Sequence, residues 1–516
     1  MSLLKHTGIQ HLALELIQEI IDLCSIETHN GVQTVQFHRQ SRLLELRRVS
    51  RQFKFATDPF IFKEVTFNFF KSGFVTAVSY LEALANFTHP ACRHAITLRI
   101  ESLPDIRKVQ EFAFSTTSMD LLISKAIISL ENVRTVIWDC GRPDYSSGIV
   151  DALFKLPRFD DLRLIFDFHP QNYVPETIPL CQFRNLRSLD ISGSQMSVIC
   201  STDFANQLRA IFENGGSLSR LGLTGNPSHG FLDSDVQHVL HQIVQDMPPE
   251  AHLELQHLRL DGYCLRFDSI TVPHLRKLTS LNVSNTFSSM GIGAQKFWKD
   301  LTSAAIFIKD LVVDEINEPL LDYLRTYAGL ENLTIVGNRV QVGRGRQTKL
   351  KDFSRELCSV LPLHKESLLS YKGLTQSFAR TPTGMTKDSM AALSACKKLH
   401  TLVFMLEQRQ ISEQTTDVRD LIETMLQLPR IKFAQLSYMR HNLYNSQSMW
   451  LARSSDIDKN CTSRMSSILT SINVFNDVVG RQNDFCDIMF EDASYIAQVI
   501  EGYIKVRPGY QDSEAG

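Results

Sequence analysis

Several signals of secreted, membrane-bound and redox-active proteins are absent from this 516-residue sequence. Its ten cysteines include no Cys-x-x-Cys pair, which is typical of reduced and mostly buried thiols rather than of a disulfide scaffold. The first ten residues contain no apolar run long enough for a signal peptide, and nowhere do about 18 uncharged apolar residues follow one another. We therefore expect an intracellular protein, cytoplasmic or nuclear, with no membrane segment.

An excess of charge of either sign is also missing. The formal net charge is -2 and the sequence pI is about 6.8, so the chain lacks the broad basic field that nucleic-acid binding needs. Residues 339–351 form a local basic cluster without an aromatic side chain, whereas RNA-binding loops usually carry stacking rings. We interpret this cluster as a solvated insertion and expect no nucleic-acid partner.

Motifs for phosphate, metal and nucleophilic chemistry are missing or incomplete. No Gly-x-x-x-x-Gly-Lys-Ser/Thr sequence occurs, and no Gly-x-Gly-x-x-Gly opens a helix. His89, Cys92 and His94 have ligand-like spacing, but no second pair follows within the next ~40 residues, as a zinc site would require. We therefore expect no enzyme activity, no cofactor and no metal. An enzyme on an α/β fold is the weakest of the alternatives.

The sequence does contain two amphipathic segments near its start. In the first, apolar residues recur at steps of three and four, which predicts a helix; they are Leu12, Leu16, Ile17, Ile20, Ile21 and Leu23. The same spacing resumes at Leu43 and should end at Asp58, because the residue before a proline disfavours helix. Fewer than about 60 residues bury little surface alone, so this small apolar unit indicates a partner.

Two short motifs follow the first of these segments. Residues 46–53 read Leu-Arg-Arg-Val-Ser-Arg-Gln-Phe, and residues 59–62 read Pro-Phe-Ile-Phe. Together with Leu12 and Glu15, they resemble an F-box, specifically the F-box-like variety common in fungal proteins. In that family the module binds a Skp-type adaptor of a cullin-RING ubiquitin ligase. The resemblance implies that the residues for adaptor contact, or for the small core behind it, are Leu12, Leu14, Leu16, Ile17, Ile20, Leu46, Val49 and Phe53.

The rest of the chain carries an irregular Leu-x-x-Leu-x-x-Leu-x-Leu repeat, as at Leu275-Leu278-Leu281-Val283, with units about 22 to 38 residues apart. The alternating end of each unit predicts a short strand with one buried face, and the intervening stretches have helical periodicity. The predicted fold class is α/β, an N-terminal helical F-box-like module followed by a curved leucine-rich-repeat solenoid. A non-repetitive α/β domain is the alternative.

Four segments follow from these patterns. We expect an F-box-like helical domain at 1–67, a connector at 68–90, the solenoid at 91–505 and a flexible tail at 506–516. Near the end, Ser494–Ile504 is interpreted as a helix.

On a solenoid of this kind, the residues between paired apolar strand positions face a ligand. These are Arg99, Ile137, Arg163, Asp190, Gly222, Arg259, Asn282, Val312, Thr334, Ser370 and Val403. Guanidinium groups bind carboxylates and phosphates through paired hydrogen bonds, so the arginines favour an acidic or phosphorylated peptide. The candidate substrate-binding residues are Arg99, Arg163, Asp190, Arg259 and Asn282.

The resemblance and the repeats together imply a substrate-recognition subunit of a Skp-cullin-F-box ubiquitin ligase. Its partners would be the Skp-type adaptor with its cullin-RING ligase and an unknown protein substrate. The alternative is a leucine-rich-repeat scaffold outside ubiquitin transfer, in which the F-box-like module only caps the first repeat. Ala13 stands where the family has proline, and it is compatible with that alternative.

Overall fold

The computed structural model describes most of the chain from Leu43 to Pro508, with three helical residues before it, Leu16, Ile17 and Ile21. The described ranges are 16–17, 21, 43–102, 115–139, 147–166, 178–183, 185–193, 202–213, 218–225, 239–247, 253–261, 270–284, 291–314, 316–336, 354–373, 387–407, 411, 416–439, 461, 463–475, 485–490, 493–500 and 503–508. Leu12, Leu14, Ile20 and the basic cluster at 339–351 lie outside them.

The chain divides into two compact units, Met1–Gly222 and Leu223–Gly516. The first unit alternates short helices with strands. Its elements in chain order are a helix at 43–49 (α1), α2 (Arg51–Ile61), β1 (Glu64–Asn68), α3 (Phe69–Ser72), α4 (Phe74–Ala85), α5 (Ala91–His94), β2 (Thr97–Ser102), α6 (Thr116–Ile128), β3 (Thr135–Asp139), α7 (Ser147–Phe154), β4 (Asp161–Phe166), a 3₁₀ turn (Leu180–Gln182), β5 (Ser188–Gly193), α8 (Thr202–Glu213) and the start of β6 (Arg220–Gly225).

Strands β1 to β5 pair in chain order, and each runs parallel to the next. The register aligns the first apolar residue of each repeat, so Leu98, Val136, Leu162 and Leu189 form a continuous row that is fully buried. Each strand therefore buries one apolar face against its own helix layer and its neighbours, which is the packing of a leucine-rich-repeat solenoid.

The second unit repeats this plan. Its elements are α9 (Val239–Val244), β7 (His257–Asp261), a 3₁₀ turn (Val272–Leu275), β8 (Ser280–Ser284), α10 (Gly291–Ser303), β9 (Asp310–Val313), α11 (Glu318–Arg325), β10 (Asn332–Ile335), α12 (Ser354–Val360), a 3₁₀ turn (Leu361–His364), β11 (Ser370–Gly373), α13 (Lys387–Ser394), β12 (Thr401–Glu407), α14 (Thr416–Leu426), β13 (Phe433–Met439), a helix at 463–470 (α15), β14 (Asn473–Phe475), β15 (Phe485–Phe490), β16 (Ala493–Ile500) and β17 (Tyr503–Pro508).

Strands β7 to β13 also pair in parallel and in chain order, and β15 then joins β13 in parallel. The last pairings are antiparallel, from β15 to β16, β17 and β14. The predicted α/β fold class, with N-terminal helices followed by a leucine-rich-repeat solenoid, is confirmed.

Both ends of the repeats differ from the sequence prediction. Strand β1 lies inside the range 1–67 assigned to the helical domain, yet it pairs with β2, so the sheet begins at Glu64. The helix expected at Ser494–Ile504 is wrong, because β16 and β17 form an antiparallel pair in which Ile500 faces Tyr503. Strand β17 also takes in the first residues of the expected tail, up to Pro508. Among the described helices, none is both long and apolar enough to cross a bilayer.

Candidate functional site

The N-terminal helical segment encloses a small apolar core of its own. Its buried members are Ile17, Ile21, Leu43, Phe53, Ala56 and Ile61, with Phe60 and Phe62 packed against them at the edge. We call these residues 16–62 the helical module. Two of the residues implied for adaptor contact, Ile17 and Phe53, belong to this core and are not free for a partner.

Ser50 divides the second amphipathic segment into two helices. Its backbone is extended, with φ of -159°, and its side chain accepts a hydrogen bond from the backbone N–H of Phe53 at 3.2 Å. This is an N-cap, which offers a side-chain oxygen to an otherwise unpaired amide of the first turn. Leu43 of α1 and Phe53 of α2 are buried in the core, whereas Leu46 and Val49 of α1 are exposed.

Helix α2 continues through Pro59 to Ile61, so the predicted end of the helix at Asp58 is wrong. Proline removes one backbone donor and disfavours helix in the residue before it. Local contacts offset this cost: the Thr57 hydroxyl donates to the Phe53 carbonyl at 2.8 Å, and Ile61 is buried in the core.

An ion pair joins the two helices on either side of Ser50. Arg47 Nε donates to Asp58 Oδ1 at 2.5 Å, and the Asp58 side chain is only 6% exposed. The same guanidinium lies over the ring of Phe62, with Cζ at 5.3 Å from the ring centroid. A buried carboxylate needs such a partner, and the aromatic face adds a cation–π contact.

Among the described residues of the helical module, five large apolar side chains face solvent. Their exposed fractions are Leu16 49%, Leu44 43%, Leu46 36%, Val49 63% and Phe55 61%, and we call them the exposed apolar set. Single exposed leucines are ordinary, but five beside one small apolar core form a candidate interface. Burying one such side chain gains about 1.5 to 3 kcal/mol.

The helical module contacts the first repeat through a stack of rings. The His89 ring lies edge-on to Phe62, with centroids 5.1 Å apart, and edge-on to Tyr80 at 4.9 Å. His89 Nδ1 accepts a hydrogen bond from the backbone N–H of Ala91 at 3.2 Å. Burial lowers the pKa of His89, the nearby Arg47 guanidinium lowers it further, and Asp58 raises it.

A second candidate surface is the solvent-facing side of the sheet in the first unit. Register places Arg99, Ile137, Arg163 and Asp190 side by side in one row, as the repeat pattern predicts. The row continues to Gly222, since a Cβ built there would lie 2.8 Å from Asp190 Oδ1. Any larger residue at this position would require the Asp190 carboxylate to move.

The two arginines of this row already pair with carboxylates of the chain. Arg99 Nε lies 2.9 Å from Glu64 Oε1 and 3.9 Å from Glu101 Oε1, and Arg163 Nη2 lies 3.2 Å from Asp161 Oδ2. Exposed pairs of this kind contribute about 0 to 1 kcal/mol, so a ligand could displace them, but it would have to compete.

In the second unit, Arg259 lies beside Asn282 in the register, and both residues take part in further interactions. The row was predicted to include Ser370, which is wrong by two positions. Thr334 pairs with Lys372, and Lys372 pairs with Val403. The leucine pattern missed this register because the second apolar position of β11 is Gly373. Glycine leaves room there for the Tyr371 side chain, whose hydroxyl oxygen would lie 3.2 Å from a Cβ at position 373. Val403 lies in the row but is buried.

Several site residues were not found from the sequence. Glu64, on the neighbouring strand β1, and Glu101 and Asp161, each two residues from their arginine on the same strand, pair with the arginines. A pattern of apolar positions marks none of these carboxylates. Leu44 and Phe55 join the exposed apolar set, although helical spacing alone gives no preference between the module core and solvent.

The His89, Cys92 and His94 trio is explained by packing. Cys92 Sγ lies 3.5 Å from the Leu84 carbonyl and 3.5 Å from Ser129 Oγ, inside the first repeat. Within the described part of the chain, no group of three or more His, Cys, Asp and Glu side chains is arranged to hold a metal ion.

Comparison with known proteins finds likeness among solved structures. No family model and no curated protein matches the chain. Among solved structures, the chain is similar to a chain of the crystal structure of the Rad7 and Elc1 complex in yeast, with 14% identity and a TM-score of 0.39. The match covers 84% of this chain and 98% of that one. The functional conclusion therefore depends on the surfaces described above.

Proposed function

We propose that this chain is a non-catalytic receptor that holds two other proteins. The helical module would bind a Skp-type adaptor of a cullin-RING ubiquitin ligase, and the repeats would bind a target protein for ubiquitination. The observation that carries the proposal is the exposed apolar set: Leu46 and Val49 are exposed, although the module buries other apolar residues in a core of its own. A receptor of this kind would act in the cytoplasm or nucleus.

The mechanism needs no acid, base or nucleophile from this chain. Holding a target lysine near a charged conjugating enzyme replaces a bimolecular encounter with a local one, and positioning alone raises the rate. The target would lie on the solvent-facing rows that contain Arg99, Arg163, Asp190, Arg259 and Asn282. Target capture that survived charge reversal at Arg163 and Arg259 would contradict this placement.

A second candidate function is a scaffold in which the helical module only caps the repeats. Two observations favour it. Strand β1 follows the module directly and pairs with β2, and Phe62 packs edge-on against His89 of the first repeat. Terminal repeats of solenoids need such a cover.

Co-purification with a Skp-type adaptor separates the two functions. A charge in a buried apolar interface costs several kcal/mol, so Val49→Asp should abolish the complex, while the folded state tolerates it because Val49 is 63% exposed. Val75→Asp is a matched control, since Val75 is also 63% exposed but lies on α4 of the first repeat. No complex with the wild-type chain at micromolar concentrations, or equal loss in both variants, would favour the cap.

A further inference from the structure

Four side chains form a continuous line of contacts from the helical module into the first repeat. The Arg47 guanidinium lies over the ring of Phe62. The ring of His89 lies edge-on to Phe62 and edge-on to Tyr80. We call Arg47, Phe62, His89 and Tyr80 the junction stack. At one end of the stack, Arg47 lies on α1, next to Leu46 of the exposed apolar set. At the other end, Tyr80 lies on α4 of the first repeat. The line therefore spans from the candidate adaptor surface to the repeats.

The stack also needs one protonation state of His89. Its Nδ1 accepts the backbone N–H of Ala91 at 3.2 Å, so this nitrogen must carry no proton. A second proton would remove that acceptor and place a cation near the Arg47 guanidinium. The charged and titratable groups that face His89 are Arg47 and Asp58 from the helical module and Tyr80 from α4.

We propose that the junction stack fixes the orientation of the helical module on the first repeat, with neutral His89 as its central contact, and that protonation of His89 releases the module. The importance of a fixed orientation rests on the proposed function. A receptor positions its target relative to the adaptor only if its two binding surfaces keep a fixed relative orientation. Arg47, Phe62, His89 and Tyr80 are then positioning residues, which need not touch either partner.

The direction of the pH effect follows from the surroundings. Burial and Arg47 lower the pKa of His89 below its ordinary value of about 6.5, so the unfolded or released state takes up the proton first. The stack is therefore fully formed above about pH 6.5 and weakens as the pH falls below it.

The proposal is tested by hydrogen exchange on the full chain between pH 7.5 and 5.5. The rates are expressed as protection factors, which removes the intrinsic pH dependence of amide exchange. Protection at residues 60–63 and 88–95 should be lower at pH 5.5 than at pH 7.5. His89→Phe keeps an aromatic ring but cannot titrate, so its protection should not change with pH. His94→Phe is the matched control on the neighbouring helix and should behave like the wild type.

Two further variants separate a positioning role from simple packing. Arg47→Gln removes the cation that opposes protonation of His89 in the closed state, so less protection should be lost on acidification than in the wild type. Asp58→Asn removes the carboxylate that favours protonation, so more protection should be lost. Changes in the same direction for both variants, or a wild type and His89→Phe with equal pH dependence, would overturn the proposal.

The outcome is independent of adaptor binding. Exchange at the junction is measured without a partner, whereas the proposed function is tested by co-purification of Val49→Asp. A pH-independent junction together with adaptor loss in Val49→Asp would reject the junction stack and keep the receptor function. A pH-dependent junction without any adaptor complex would keep the role of the junction stack, reject the receptor function and favour the cap.

Discussion

Replacement of His364 should destabilise the second unit more than its single side chain suggests. His364 is 1% exposed, and its Nδ1 accepts backbone hydrogen bonds from Gly329 and Leu330, each at 3.3 Å. Its Nε2, 3.2 Å from the Leu324 carbonyl, donates to that oxygen, because Nδ1 must be the unprotonated nitrogen. One imidazole thus satisfies two donors and one acceptor of the preceding repeat.

The expected magnitude follows from those three groups. His364→Leu keeps the apolar bulk but leaves all three backbone groups unpaired, at about 1 to 3 kcal/mol for each fully buried one. Because Gly329 is only partly buried, we expect a loss of about 3 to 5 kcal/mol in the free energy of unfolding of the second unit. For a unit of this size that lowers Tm by about 5 to 10 °C, measurable by scanning fluorimetry.

The same residue predicts a pH dependence. Burial lowers the pKa of His364, and the Leu324 hydrogen bond raises it only in part. An imidazolium cannot accept from Gly329 and Leu330, so the unfolded state gains its proton first, near its ordinary pKa of about 6.5. The stabilisation is complete above that pH and decreases as the pH falls. A His364→Leu variant that melted within about 1 °C of the wild type at pH 7.5, or that lost as much stability as the wild type on acidification, would refute this account.

Three further changes have defined outcomes. Ser50→Ala removes the N-cap of α2 and should cost about 1 kcal/mol, seen as faster hydrogen exchange in residues 51–54, with Ser50→Asp as the variant that restores it. Gly222→Ala should destabilise the first unit by at most about 1 kcal/mol, because its Cβ would lie 2.8 Å from Asp190 Oδ1 and the carboxylate must move, and a second change, Asp190→Ala, should recover most of the loss in urea unfolding. Ala305→Gly should raise Tm, since Ala305 has a φ of 53°, and relief of that strain gains up to about 1 kcal/mol; an unchanged or lower Tm would contradict the reasoning.

The repeats could be predicted because their pattern is local. Each unit places two apolar residues on one face of a short strand, and Leu98 with Ile100 or Leu281 with Val283 need only their neighbours to become buried. Alternation alone was less informative at the end of the chain. The apolar residues of 494–504 fit both a helical and a strand periodicity. The antiparallel pairing of β16 with β17 stabilises the strands.

The register of β11 shows where a pattern of leucines fails. Tyr371 takes the first apolar position and Gly373 the second, because the tyrosine ring occupies the space of the missing side chain. A search for large apolar residues cannot recognise glycine in that place. Lys372 therefore faces solvent in the row, where Ser370 was expected.

The sequence by itself determined the strand–helix repeats and the presence of an apolar helical module, since both follow from spacing along the chain. Only the tertiary structure decided which apolar residues of the module are core and which are exposed, because burial depends on how the helices pack together and not on spacing along one helix. It also decided the partner of Arg99, which is Glu64 on another strand, 35 residues away. Contacts across that distance depend on strand pairing, and no local pattern contains them.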